Sequence, residues 1–331
     1  MNRTSTPFAT PGAVAPAFAV GACTEFVRSG EAIEATQSYI RRLSAAAVRR
    51  RVRGEEVCDQ DFPAEIFALR PPRATGSPLV LLGGMGPLAG AEGFARACSL
   101  FGESREIVLL QACSIPDRTQ AILADARSAT GVSMEHQVLV SMLDAARQAA
   151  IDRVITPHGA IDVVMLCNAA HAFLPHAFLP EGAARPGNER VRSISLVDCV
   201  VDALRRRSGP ALILSAEGTR LSRIYTRRLA EARIPYVEPS ERLQRMLMRA
   251  IYEGVKAFDW KAAAENGAAV LEELLSANPD VECIVAGCTE IPKILDTLKS
   301  VATQKLVERL SLEARLSRVE ILDPVELAFR R

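Results

Sequence analysis

The sequence predicts an α/β protein built on parallel sheets, and three observations carry that expectation. From Leu79 onward, short apolar runs alternate with longer stretches of helical periodicity, the pattern of parallel strands joined by crossover helices. The pattern comes in two sets, since a strand–loop–helix unit that starts near Leu79 has a counterpart that starts near Ala211. Each set then reaches a strand that ends in cysteine, Val-Val-Met-Leu-Cys-Asn at 163–168 and Cys-Ile-Val-Ala-Gly-Cys-Thr-Glu at 283–290.

Taken in order, residues 1–75 differ in texture from the rest. The first 24 are rich in Ala, Pro, Thr and Phe, with Arg3 as their single charge. Between Ser38 and Val52, Ile40, Leu43, Ala47 and Val48 recur near helical spacing and predict a short amphipathic helix. Pro71, Pro72, Gly76 and Pro78 then read as a linker. Residues 1–75 are thus expected to be an N-terminal extension, partly disordered or helical, whose removal leaves a folded body. Strands are expected at Leu79–Leu82, Glu106–Leu110, Val163–Leu166, Ser193–Leu196, Ala211–Leu214, Cys283–Ala286 and Val319–Leu322. They divide the body, residues 76–331, into one lobe of about 76–196 plus the C-terminal segment and another of about 197–318. His171-Ala-Phe-Leu-Pro is repeated at once from His176, a duplication too short for a solenoid.

Composition excludes several classes. A net charge of +1 gives no global field for nucleic acid or an anionic membrane, and the Arg clusters at 49–53 and 205–207 read as solvated helix faces. With one Trp and four Tyr there is no basic surface interleaved with aromatics. Eight cysteines without a CxxC pair suggest neither a zinc site nor a disulfide framework, so no metal is expected and a cytoplasmic location fits. No apolar run reaches the roughly 18 residues needed to span a bilayer. The N-terminal extension leaves delivery or export as the alternative location.

Cys167 and Cys288 sit at the carboxyl ends of their strands, where ligands collect in open parallel sheets. Each is followed by a capping-type residue, Asn168 or Thr289, so a helix start is expected to lower the thiol pKa. Free cysteine is also among the most buried residue types. That reading is preferred for Cys98, Cys199 and Cys283, whereas for Cys167 and Cys288 the pattern alone leaves both open. Pyridoxal phosphate would need a Schiff-base lysine and a phosphate loop. Neither the five lysines nor Gly83-Gly84-Met85-Gly86 supplies such a motif, so no cofactor is expected.

Leu82-Gly-Gly-Met-Gly-Pro-Leu-Ala89, Cys167-Asn168 with His171, and Gly287-Cys288-Thr289-Glu290 together resemble the motifs of the cofactor-independent aspartate/glutamate racemase family. Ile115-Pro116-Asp117-Arg118-Thr119 and Ile251-Tyr252-Glu253-Gly254-Val255-Lys256 resemble segments of its aspartate-type members, and the similarity covers roughly residues 79–330. The resemblance implies two flavodoxin-like parallel-sheet lobes related by pseudo-two-fold symmetry, with a small amino-acid substrate between them and a homodimeric assembly. It implies that Cys167 and Cys288 transfer the α-proton, one from each face. Arg118 and Lys256 match the family's carboxylate-binding cations. Asn168, Thr219, Thr289 and the backbone at Met85 and Gly86 are candidate substrate contacts, with His171 and Glu290 one step behind the thiols.

Five positions depart from the family pattern. Ala169 stands where a threonine commonly follows Cys-Asn, and Ala112 and Cys113 replace Asn-Pro. Gly90 replaces a frequent threonine, and Glu217 takes the place of a small hydroxyl residue, which sets a carboxylate against an acidic substrate if it faces the cleft. Aspartate or glutamate racemisation is the leading expectation. A related lyase or isomerase acting on a dicarboxylate or hydantoin-like substrate, and a secreted binding protein that keeps the fold, are the alternatives.

Overall fold

Strands β3 (Leu79–Gly83), β4 (Ile107–Gln111), β7 (Ala211–Ser215) and β9 (Cys283–Gly287) are buried at every position. They are near-continuous apolar runs because helices cover both faces of a parallel sheet. The computed structural model describes residues 23–129, 131–155, 160–174, 190–298 and 312–331. The remaining strands are β1 (Cys23–Phe26), β2 (Glu65–Leu69), β5 (Ile161–Met165), β6 (Val191–Ile194), β8 (Tyr236–Val237) and β10 (Glu320–Leu322). All seven strands read from the sequence form, within two residues of their expected ends.

The first sheet runs β1-β2-β4-β3-β5-β6 and the second β10-β9-β7-β8. Within them, β4-β3-β5-β6 and β8-β7-β9-β10 follow one plan, in which the second strand of the set lies outside the first and the third and fourth follow on the other side. All pairings within these two sets are parallel. The repeat inferred from two strand–cysteine halves is therefore a repeat of topology, and each cysteine directly follows or lies two residues beyond the third strand of its set.

The C-terminal segment corrects one expectation. Instead of rejoining the first lobe, β10 pairs in parallel with β9, where Leu322 is buried with Cys283 and Val285 in the core of the second lobe. Only the helix Pro324–Phe329 that follows reaches back, with Phe329 set edge-on to Phe101 at 6.0 Å between ring centres.

Residues 23–69, expected to lie outside the body, are built into it. β2 runs antiparallel to β4 over five residue pairs, and β1 adds a parallel strand beyond it. Between them, helix α1 (Ser29–Val52) buries Ala32, Thr36, Tyr39, Leu43 and Ala47, spaced three or four residues apart along one face. That face packs on helix α2 (Pro87–Phe101) and on the sheet. Tyr39 meets Phe67 of β2 edge-on at 5.5 Å, and Phe67 lies 6.0 Å from Phe94 of α2. The helix begins nine residues before the expected Ser38 because its first buried positions are Ala32 and Thr36, small residues that a search for large apolar side chains passes over. Glu65-Ile-Phe-Ala-Leu69 is a four-residue apolar run whose side chains are buried through its pairing with β4 and its cover by α1.

No helix among the described residues is long and apolar enough to cross a membrane. The second copy of the His-Ala-Phe-Leu-Pro repeat, at 176–180, and the Ala/Pro-rich residues 1–22 lie outside the described residues. Because Tyr39 is a fully packed ring, Tyr39→Ala is expected to destabilise the protein by about 3 kcal/mol. Deleting residues 1–75 should destabilise it further, both measured as the midpoint of denaturant unfolding.

Candidate active site

The carboxyl ends of β3, β5, β7 and β9 point their loops into one cleft between the sheets, the crevice at which open parallel sheets bind ligands. The loop after β3 contributes Met85, and Gly84 and Gly86 make its path possible. Both have positive φ, and a Cβ on Gly84 would lie 2.3 Å from the backbone of Ala112. A Cβ on Gly86 would lie 2.5 Å from Glu290 Oε1, so this glycine lets a carboxylate of the second lobe come close to the first.

Cys167 follows β5 by two residues and Cys288 follows β9 directly. They line one cavity with Met85, Arg118, Asn168, Thr219, Lys256, Thr289 and Glu290. Of the residues singled out from the sequence, Gly86 borders a neighbouring crevice and His171 lies behind the cavity wall. Asp117, Thr119, Ile251 and Tyr252 also line the cavity, although the sequence reading gave them no role beyond membership of the matching segments. The cavity holds only about 30 Å³ and lies beside an outer vestibule of about 750 Å³. Arg118, Lys256, Asp117, Thr119 and Tyr252 border both spaces. Glu217 lines the vestibule and faces Arg220 at 3.7 Å, so its carboxylate stands outside the inner cavity. Ala169 does line the inner cavity, whereas Ala112 and Cys113 are packed in the core, Cys113 within 3.9 Å of the Tyr39 hydroxyl.

Asn168 does not cap a helix. Its Oδ1 accepts a 2.5 Å hydrogen bond from Tyr225 of the second lobe, which fixes the amide with Nδ2 left without a protein partner. Thr219 Oγ1 and Arg118 Nε are likewise buried and without a protein partner among the described residues. Three buried donors around one cavity are costly unless something polar meets them. Tyr225 escaped notice in the sequence because nothing near it forms a motif.

Arg118 opens helix α3 (Arg118–Arg127) and is 6 % exposed. Its guanidinium donates to Pro116 O at 3.1 Å and Met85 O at 3.2 Å. Lys256 ends a π-helix, Ala250–Lys256, that also turns Ile251 and Tyr252 toward the cavity. Such wide turns recur at functional sites. Both cations converge on Asp59, whose Oδ2 lies 3.3 Å from Arg118 and 2.8 Å from Lys256 Nζ. Asp59 belongs to the segment read as an extension, and no motif in Cys58-Asp-Gln-Asp61 announced it. Burial alone would raise the Asp59 carboxyl, yet Lys256 and Arg118 hold it below the ordinary carboxylate range. Burial alone would lower the Lys256 ammonium, yet Asp59 and Glu290 hold it above its ordinary value.

The thiols differ from the expectation of a lowered pKa, because burial outweighs the pull of a helix start. Burial pushes Cys167 up, opposed chiefly by the Arg118 guanidinium. Burial pushes Cys288 up much further, reinforced by the Glu290 carboxylate, which accepts the thiol proton's hydrogen bond at 2.9 Å. Thr289 donates to the same carboxylate oxygen at 3.2 Å. The two thiols are therefore unlike: one faces a cation and the other an anion.

His171 is a structural link. Its Nδ1–H donates to Cys167 O at 2.9 Å and its Nε2 accepts from Leu196 N–H at 3.1 Å, tying the cysteine loop to the helix Leu196–Leu204. The bond accepted by Nε2 requires the neutral ring, and burial lowers its pKa from 6.5 to about 4. The unfolded chain binds this proton first as pH falls, so the stability from the neutral ring is complete above 6.5 and is lost on descent toward 4. That loss is roughly 3 kcal/mol, to be measured by denaturant unfolding at several pH values, with the slope absent from His171→Gln.

Comparison with known proteins agrees with this architecture. An aspartate racemase from Picrophilus torridus superposes with a TM-score of 0.52 at 23% identity, over 76% of this chain and 91% of that one. An aspartate racemase homologue from Pyrococcus horikoshii OT3 gives 0.48 at 17% identity, over 77% and 96%. A glutamate racemase isoform from Bacillus anthracis gives 0.47 at 15%, over 77% and 79%. The family description Asp/Glu/Hydantoin racemase matches residues 82–331. With that match covering most of its length, the chain belongs to the Asp/Glu/Hydantoin racemase family and is an isomerase of the racemase class.

Proposed function

We propose that the protein racemises an acidic amino acid, aspartate or glutamate, by removing the α-proton with one of Cys167 and Cys288 and delivering a proton to the opposite face from the other, without a cofactor. The observation that carries this reading is two buried thiols in one cavity with Arg118 and Lys256, a cation pair suited to a carboxylate. In one direction the Cys167 thiolate takes the α-proton, forming S–H as C–H breaks. The Cys288 thiol then gives its proton to the opposite face of the carbanion and becomes the thiolate. The reverse turnover exchanges these roles.

The electrostatics support an unequal starting pair. Arg118 favours the thiolate of Cys167, whereas Glu290 favours the protonated form of Cys288. An α-proton is a very weak acid, and the cavity meets the developing charge with fixed donors in place of water. Arg118 Nε, Asn168 Nδ2 and Thr219 Oγ1 are buried donors of that kind. The family description also names hydantoin racemases, so a cyclic amide with an acidic C–H centre is the second substrate class to test.

Proton NMR in deuterated water tests the reading with each enantiomer of aspartate and glutamate. The expected outcome is α-proton exchange with inversion for one of the two amino acids, lowered at least about a hundredfold in Cys167→Ala and in Cys288→Ala. No exchange with any of the four would remove acidic amino acids as substrates. A second measurement addresses Glu290, which holds the Cys288 proton. Replacing it by Gln removes the charge that raises this thiol, so the thiolate forms at lower pH. In the direction that uses Cys288 as base, the rising limb of kcat/KM is expected to move to lower pH in Glu290→Gln.

A further inference from the structure

We propose that Asp59 is a specificity-determining residue: its carboxylate occupies Arg118 and Lys256 in place of a substrate's side-chain carboxylate, and an acidic substrate enters by exchanging with it. This inference rests on the acidic-substrate reading above. Both Asp59 oxygens lie within 2.9 Å of Lys256 Nζ, and Oδ2 also faces Arg118 at 3.3 Å, so one carboxylate engages both cations as a ligand would. The three side chains are almost wholly buried, with exposures of 11, 7 and 11 % for Asp59, Arg118 and Lys256.

Space argues in the same direction. The cavity between the thiols holds about 30 Å³, room on the order of a single water and far too little for an amino acid. Asp59 borders the vestibule of about 750 Å³ and meets the two cations that border both spaces. Its withdrawal is the movement that would join them. Asp59 sits on a short turn between two anchors. Asp59–Asp61 is a single turn of 3-10 helix, closed by Asp61 N–H to Cys58 O and Phe62 N–H to Asp59 O. Arg50 of α1 and the Cys58 N–H hold Asp61 at 2.7 and 2.8 Å, and Phe62 is buried in the core. The movement the exchange needs is therefore confined to the Asp59 side chain and this one turn.

Charge makes the exchange selective. With Asp59 in place, Arg118 and Lys256 already share one carboxylate, and Asp117 and Glu290 line the same cavity, so a further anion gains little by entering beside them. An anion that replaces Asp59 keeps a carboxylate on both cations, whereas a neutral side chain leaves them without the group they share. The substrate must supply what Asp59 takes away.

The test compares the full-length protein with Asp59→Asn and Asp59→Ala, using succinate, a dicarboxylate without an α-amino group, as calorimetric probe. Both variants are expected to bind succinate at least about tenfold more tightly than wild type, since the closed fraction no longer opposes binding. KM for the acidic amino acid should fall by a similar factor. Unchanged or weaker succinate binding in both variants overturns the proposal. So does a rise in KM, which would make Asp59 the partner of the substrate's ammonium. Hydrogen exchange on the wild type needs no variant to fold. Saturating succinate should speed exchange of the Asp61 and Phe62 amides, and unchanged or slower exchange overturns the proposal. If succinate binds as expected but no acidic amino acid exchanges its α-proton, the Asp59 contact stands and the substrate assignment falls. Racemisation without any effect of Asp59 on succinate gives the reverse.

Discussion

The contact of Asp59 with Arg118 and Lys256 is the interaction on which the rest of the cleft depends. Two buried cations on the inner wall of an apolar fold are unfavourable unless a carboxylate meets them. The three residues come from three parts of the chain: Asp59 from the N-terminal segment, Arg118 from the first lobe and Lys256 from the second. The charge requirement thus joins β1, α1 and β2 to the two-lobed body at the point where the lobes face each other. Arg118 also reaches Met85 O, so the same ion cluster holds the loop after β3 against the cavity.

The cluster shapes the thiols as well. Arg118 is the main group opposing the effect of burial on Cys167, and Glu290 is the main group adding to it on Cys288. Two cysteines that occupy equivalent places in a repeated topology are thereby made chemically unequal, because each lobe brings a charge of different sign to its neighbour. Gly86 is part of this arrangement, since only a residue without Cβ leaves room for Glu290. His171 supports Cys167 from behind as a neutral ring and is held too far from ionisation to carry the proton itself.

Much of this was legible in the sequence. Parallel strands announce themselves as unbroken apolar runs, and Leu79–Gly83, Ile107–Gln111, Ala211–Ser215 and Cys283–Gly287 were found for that reason. Cys167 and Cys288 stood out because they close such runs beside polar residues, and Arg118 and Lys256 because they lie in recognisable segments. Asp59 and Tyr225 lie in no such segment, and Tyr252 lies in one without a motif of its own. Each acts through a partner far away in the chain: Asp59 through Arg118 and Lys256, Tyr225 through Asn168, Tyr252 through Asp117 at 3.5 Å.

The amino-acid sequence by itself determined the α/β class, the two-fold repeat of strands and the placing of one cysteine near the end of the third strand in each half. These follow from local periodicity and short motifs, which act over a few residues. Tertiary structure decided that residues 23–69 belong to the first sheet, that β10 completes the second, and that the thiols are raised by burial instead of lowered by helix starts. It also decided that a carboxylate from the N-terminal segment meets the cations of the cleft. Strand pairing, desolvation and ion pairing depend on which distant surfaces come together, and that is a property of the packed chain.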